Sequence, residues 1–180
     1  MITKTRDLAF IGIFAAIIAV MAQISIPMPA GVPMTMQTFA IPLAGVVLGA
    51  RKGTIATCVY VLLGVAGLPV FAGFNGGIGA LLNLTGGFIV SFPLLAYTAG
   101  IGEQGESRLW LVLWLAIGAA ANFLFGALWF SFVSSTNLSY AFSVCVLPFI
   151  PTSILKITLV AMLGRQVKAV LAKHRVLPAR

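Results

Sequence analysis

Acidic residues are almost missing from this chain: Asp7, Glu103 and Glu106 are the only three in 180 residues. Charge of any sign is scarce, at 8% of residues against about 25% in an ordinary soluble domain. Hydrophobic residues make up 61%, more apolar surface than a soluble fold can hide. With so few carboxylates the chain lacks the acid/base pair at depth that a membrane-embedded enzyme would use. It also lacks the intramembrane acid that a proton relay or ion pump normally needs.

Other absences narrow the field further. There is no G-x-x-x-x-G-K-[ST] phosphate loop, so ATP hydrolysis by that route is excluded. The single histidine, His174, lies among Lys173 and Arg175 with no second ligand beside it, and reads as solvated rather than metal-binding. Cys58 and Cys145 lie far apart in apolar surroundings, without zinc or redox spacing, and read as packing residues.

What the chain has in quantity is long uncharged runs. Residues 8–50, 53–102 and 109–155 contain no Asp, Glu, Lys or Arg. A helix needs only about 20 residues to cross the hydrocarbon core, so each run has room to cross twice. Turn signals divide them: Pro27 to Pro33 in the first, Gly67-Leu68-Pro69 leading to Gly73-Phe74-Asn75-Gly76-Gly77 in the second, and Ser134-Ser135-Thr136-Asn137 in the third. Three hairpins make six helices, expected at about 8–26, 35–50, 53–66, 82–101, 109–132 and 147–170. The first run follows Lys4 and Arg6 as a signal peptide would. It is long, however, and ends in Pro27-Met28-Pro29 rather than at a cleavage site, so it reads as the first span. Composition does not shift along the chain, and residues 1–180 are expected to form one all-α transmembrane domain.

The net charge of +8 would suggest nucleic acid in a soluble protein. Here the basic residues cluster at the edges of apolar runs, where they set orientation, and no nucleic-acid partner is expected. With six spans, Lys4, Arg6, Arg51, Lys52, Arg108, Arg165, Lys168, Lys173, Arg175 and Arg180 all fall on one side. By the positive-inside rule that side is the cytoplasm, with both termini there. Four or five spans would strand basic clusters on the wrong side.

One cation breaks the pattern. Lys156 precedes Arg165 by nine residues, about 13 Å along a helix and close to mid-membrane. A charge at that depth costs about 2.5–3.5 kcal/mol on insertion scales and marks a functional site by default. No intramembrane acid can neutralise it, so the counter-charge must come from outside: an anionic or polar ligand. Thr152 and Ser153 share its helix face. Pro148 and Pro151 before them predict irregular backbone lining a cavity. The glycine-rich second outer loop, with Gly73, Phe74 and Asn75, reads either as a lid over an outward-facing pocket or as a plain connector. Thr35, Gln37, Asn83 and Asn122 could line the pocket or bond neighbouring helices. On the first span Gly12 with Ala16, and Ala15 with Ala19, have the small-x-x-x-small spacing that lets a helix or another subunit approach.

Several of these segments resemble the BioY family of biotin transporters, the substrate-binding S-components of energy-coupling-factor (ECF) importers. They are Gly31 to Gln37, Gly67 to Phe74, Gly76-Gly77, Thr85-Gly86-Gly87-Phe88 and Pro148-Phe149-Ile150-Pro151 ahead of Lys156. The resemblance implies a non-enzymatic protein of a prokaryotic cell membrane that takes biotin from outside. It implies partners too: a transmembrane coupling protein and two ABC-type ATPases, docked in part through Ala15 and Ala19. Biotin would be cargo, and no cofactor is implied. Lys156, Ser153, Asn83, Asn75, Gly73, Phe74, Gln37 and Thr35 are the residues expected to bind it.

Two departures matter. The chain has Thr152-Ser153-Ile154-Leu155-Lys156 where the family usually reads Gly-Asp-Leu-Leu-Lys, and Asn83-Leu84-Thr85-Gly86-Gly87 where it reads Gly-Pro-Thr-Gly-Gly. The first removes a carboxylate from beside Lys156. Another small carboxylate-bearing vitamin, and a solitary facilitator working without ATPases, stay open as readings.

Overall fold

The computed structural model describes residues 5–173, so His174, Arg175, Arg180 and Lys4 lie outside the described residues. Six longer helices carry the architecture: α1 (Thr5–Gln23), α2 (Gln37–Leu48), α3 (Ala50–Val65), α5 (Gly86–Gly102), α6 (Arg108–Ser134) and α8 (Ile150–Lys173). Two short ones, α4 (Gly79–Leu82) and α7 (Leu138–Cys145), sit in the connections. The first connection is a small antiparallel hairpin, β1 (Ser25–Ile26) with β2 (Met34–Thr35). The molecule is an all-α membrane protein, and its six longer helices lie over the six expected segments, with ends one to four residues away.

Length separates the helices into two kinds. α1, α6 and the segment Leu138–Lys173 are long and apolar enough to cross a membrane unaided. α2, with 12 residues, is about 18 Å long, well short of a core about 30 Å thick. Its neighbours shield it: ten of its twelve residues are buried, against α1, α3, α5 and α8. A short helix is tolerable where protein rather than lipid surrounds the chain beyond its ends.

The charged junctions gather at one end. α2 and α3 are separated by Gly49 alone, whose φ of +84° makes a bend that a side chain would strain. Arg51 and Lys52 therefore lie in the first turn of α3 rather than in a loop, and Lys52 reaches Asp7 on α1 at 2.7 Å. Across the same end, Glu103 after α5 accepts from Arg165 Nε at 3.0 Å and Lys168 Nζ at 3.2 Å. Arg165 also donates to the carbonyl oxygens of Gly105, Glu106 and Ser107. These carbonyls follow a helix end, where backbone acceptors lack partners, and the guanidinium fork supplies several donors at once.

The expectations fail in two places. The polar patch before α7 is not a simple turn: the Asn137 side chain accepts from the Tyr140 N–H at 2.7 Å and starts an eight-residue helix. The backbone ahead of Lys156 is also more regular than Pro148 and Pro151 suggest. A single 3-10 turn at Leu147–Phe149 runs straight into α8, because proline in a first helical turn removes an N–H that has no partner there anyway. On α1, Ala15 is only 3% exposed and packs in the core, with partly buried Ala19 against the same cluster, which is the helix-packing reading of their spacing. Of the two small pairs on α1, Gly12 and Ala16 are the pair on the outer surface.

Close helix approach depends on glycine at a few points. A Cβ on Gly45 of α2 would stand 2.1 Å from the Ala96 carbonyl oxygen of α5. Backbone cannot yield there as a flexible side-chain end could, so Gly45→Ala must push α2 from α5. It is expected to lower stability by about 1–3 kcal/mol, read as a drop in melting temperature of the purified protein in detergent.

Candidate binding site

The uncharged ends of α2, α5 and α8 and the middle of α6, with the first two connections, line a cavity of about 620 Å³. That is within the range of pockets that hold small organic ligands. Its apolar lining includes Val32, Phe71, Phe88, Ile89, Phe92, Leu115, Phe123 and Phe149. Its polar lining includes Thr35, Gln37, Thr38, Asn75, Asn83, Thr85, Asn122, Ser153 and Lys156.

Lys156 is 8% exposed and directs its ammonium to the start of α2. Nζ donates to the Thr35 carbonyl oxygen at 2.7 Å and to Thr38 Oγ1 at 2.9 Å. Both acceptors are neutral. Two of the three acids are held elsewhere, Asp7 by Lys52 and Glu103 by Arg165 and Lys168, and among the described residues no ion pair to Lys156 is present. Ser153, one turn earlier on α8, lines the same cavity, so a carboxylate at that position would have faced the same space. Thr152 does not share it: its hydroxyl donates back to the Phe149 carbonyl at 3.0 Å.

The other expected residues divide by what their polar atoms are free to do. Thr35 and Gln37 line the cavity but are spent on structure. Thr35 Oγ1 donates to Gln37 Oε1 at 2.7 Å, and Gln37 Nε2 donates to the Tyr60 hydroxyl. The Tyr60 hydroxyl in turn donates to the Val70 carbonyl at 3.2 Å. Asn83 lies in the break between α4 and α5 rather than inside a span. Its Oδ1 accepts from the Leu84 N–H at 2.8 Å, so its amide hydrogens are what it can offer a ligand.

Gly73 and Asn75 line the cavity from the second connection; Phe74 does not. The Phe74 ring is 71% exposed, on backbone with φ of +58°, whereas Phe71 is 2% exposed and faces inward. Of the two rings in this connection, Phe71 forms the wall, packed edge-on to Tyr60. A Cβ on Gly64 would meet the Phe71 ring, which is why α3 carries glycine there.

Gln23, which the sequence reading passed over, holds this connection in place. Its Nε2 donates to the carbonyls of Val70 and Phe71 at 3.3 and 3.2 Å, and its Oε1 accepts from the Phe74 N–H at 2.9 Å. The available signal was a lone carboxamide at the end of an otherwise apolar span. Phe88, Phe92 and Thr38 were also missed, because apolar or hydroxyl residues within a span look the same whether they face lipid, a neighbour or a cavity. The Tyr60 hydroxyl joins α2 to the second connection, and its loss strands buried donors and acceptors. Tyr60→Phe is therefore expected to reduce stability by about 1–3 kcal/mol and to increase hydrogen exchange at residues 70–75, as measured by mass spectrometry.

Comparison with known proteins fits this geometry. Residues 1–173 match the model of the BioY family. The chain is 38% identical over 164 residues to the biotin transporter BioY of Thermotoga maritima, covering 91% of this chain and 96% of that one. It is 39% identical over 153 residues to a probable biotin transporter BioY of Pyrococcus horikoshii, covering 85% and 90%. Its fold superimposes with a TM-score of 0.83, at 26% identity, on a crystal structure of the S-component for biotin from an ECF-type ABC transporter, covering 91% of this chain and 90% of that one. The chain belongs to the BioY family.

Proposed function

We propose that this protein is a membrane S-component that captures biotin in the cavity and delivers it through an ECF-type importer. One observation carries the reading: a buried ammonium, Lys156, whose two partners are neutral, at the wall of a largely apolar cavity. Biotin combines a carboxylate for that ammonium, an apolar bicyclic body for Phe71, Phe88 and Phe92, and a ureido group for amides and hydroxyls. The named relatives support biotin over other carboxylate-bearing vitamins, which the cavity chemistry alone would also accept.

The charged end of the bundle, where Lys52, Arg108, Arg165 and Lys168 lie, would face the cytoplasm by the positive-inside rule, and the cavity would then open outward. The chain has no phosphate loop of its own, so energy would come from two ATPase subunits acting through a coupling protein. Of the surfaces on α1, the exposed Gly12 and Ala16 pair is better placed than Ala15 and Ala19 to meet that protein.

Equilibrium binding of labelled biotin to the purified protein tests the reading, with sub-micromolar affinity expected and its absence fatal to the proposal. Lys156→Ala removes one partner of a desolvated ion pair and is expected to weaken binding by at least 100-fold. A competition panel of other carboxylate vitamins should leave biotin bound. Liposomes containing this chain alone should capture biotin without accumulating it, whereas flux would show a solitary facilitator.

A further inference from the structure

Lys156 accounts for a ligand carboxylate and the Asn83 amide hydrogens for a ligand acceptor. That leaves the question of what accepts a hydrogen bond from a ligand that also carries N–H groups. Several oxygen acceptors around the cavity already receive a hydrogen bond. The Thr35 carbonyl and Thr38 hydroxyl receive Lys156, Gln37 Oε1 receives the Thr35 hydroxyl, and Asn83 Oδ1 receives the Leu84 N–H. The hydroxyls of Ser25, Ser153 and Thr85 can turn to donate or to accept, and so do not distinguish one kind of ligand group from the other. Asn75 is exposed on its loop, where water competes.

Asn122, in the middle of α6, is different. It lines the cavity and is only 3% exposed. Its Nδ2 donates to the Phe88 carbonyl at 3.1 Å and to Ser91 Oγ at 2.7 Å. The Phe88 carbonyl can only accept. The Ser91 hydroxyl sits within donating distance of the Gly87 and Phe88 carbonyls, at 2.9 and 3.0 Å, which leaves its lone pairs for Asn122. Both amide hydrogens are thereby committed to α5, and the carboxamide cannot flip without facing its oxygen to a carbonyl. Oδ1 is left with no hydrogen bond among the described residues. A carbonyl oxygen on an almost fully buried, doubly anchored amide is a directional acceptor that costs little to use, because its rotation is already restricted.

We propose that Asn122 Oδ1 accepts a ureido N–H of the ligand and so selects for a cyclic urea over isosteres that lack the donor. This rests on the biotin reading above. A site built to receive an N–H rejects an analogue that presents an oxygen there, because two acceptors then face each other in a desolvated cavity. The bland alternative is that Asn122 only joins α6 to α5, in the way that polar residues join other membrane helices. That alternative predicts equal effects on all ligands.

The test compares biotin with its two cyclic carbamate analogues, in which one or the other ring N–H is replaced by oxygen at unchanged shape. Dissociation constants are measured on the full chain in detergent, with melting temperatures recorded for every variant. The intact protein is expected to discriminate against one of the analogues by about 10-fold or more. In Asn122→Ala that ratio should fall toward one while biotin itself weakens. Ser91 does not line the cavity, yet Ser91→Ala releases one anchor of the amide and should reduce the same ratio part of the way. It also decides the matter if Asn122→Ala does not fold. An unchanged ratio in the folded variants, or equal loss for biotin and both analogues, overturns the assignment of Asn122 while leaving biotin capture intact. Failure of the intact chain to bind biotin at all overturns both.

Discussion

A desolvated ammonium that meets no carboxylate among the described residues organises the rest of this molecule. Lys156 is held by a carbonyl and a hydroxyl from the start of α2, and these satisfy its hydrogen bonds without cancelling its charge. A buried charge in that condition is tolerated only where water in a cavity or a mobile counter-ion lowers its cost. The cavity is therefore part of what makes Lys156 possible, as well as the place where Lys156 acts. The position of α2 follows from the same requirement, since the helix that supplies both partners must stand close to α8. Gly164 permits this on α8, where a Cβ would stand 2.6 Å from Val46.

Around that centre the polar side chains form two linked groups. One runs from Thr35 through Gln37 and Tyr60 to the Val70 carbonyl, and Gln23 takes over at Val70 and Phe71. The other fixes α6 to α5 through Asn122 and Ser91. Among the described residues, none that lines the cavity comes from α1 or α3. Those helices shape it at one remove, by holding the second connection. A subunit docking against α1 would thus press on the helix that ends in Gln23, which gives the outer surface and the cavity wall a physical connection.

The six longer helices and the one misplaced charge were legible in the sequence because each follows from a local rule. Bilayer thickness sets how many uncharged residues make a span, and the insertion cost of charge marks Lys156 whatever its neighbours are. α7 was legible in principle through Asn137, whose capping role resembles a turn signal until the helix behind it is seen. Gln23 and Asn122 were harder, because a carboxamide in an apolar run has the same appearance whether it serves a loop, a neighbouring helix or a ligand.

The sequence by itself determined a membrane-spanning helical protein with its charges at one end, a buried cation and the family to which it belongs, because these depend on composition and spacing along a single chain. Which side of each helix faces inward was left to the tertiary structure. Gly12 and Ala16 share their spacing with Ala15 and Ala19, and Phe71 lies three residues from Phe74, so periodicity alone could not rank either pair. Packing placed Ala15 and Phe71 inside and Ala16 and Phe74 outside. It also committed the Gln37 amide to Tyr60 while leaving the Asn122 oxygen unclaimed. Hydrogen-bond partners distant in sequence decide which polar atoms remain for a ligand, and only the folded chain brings them together.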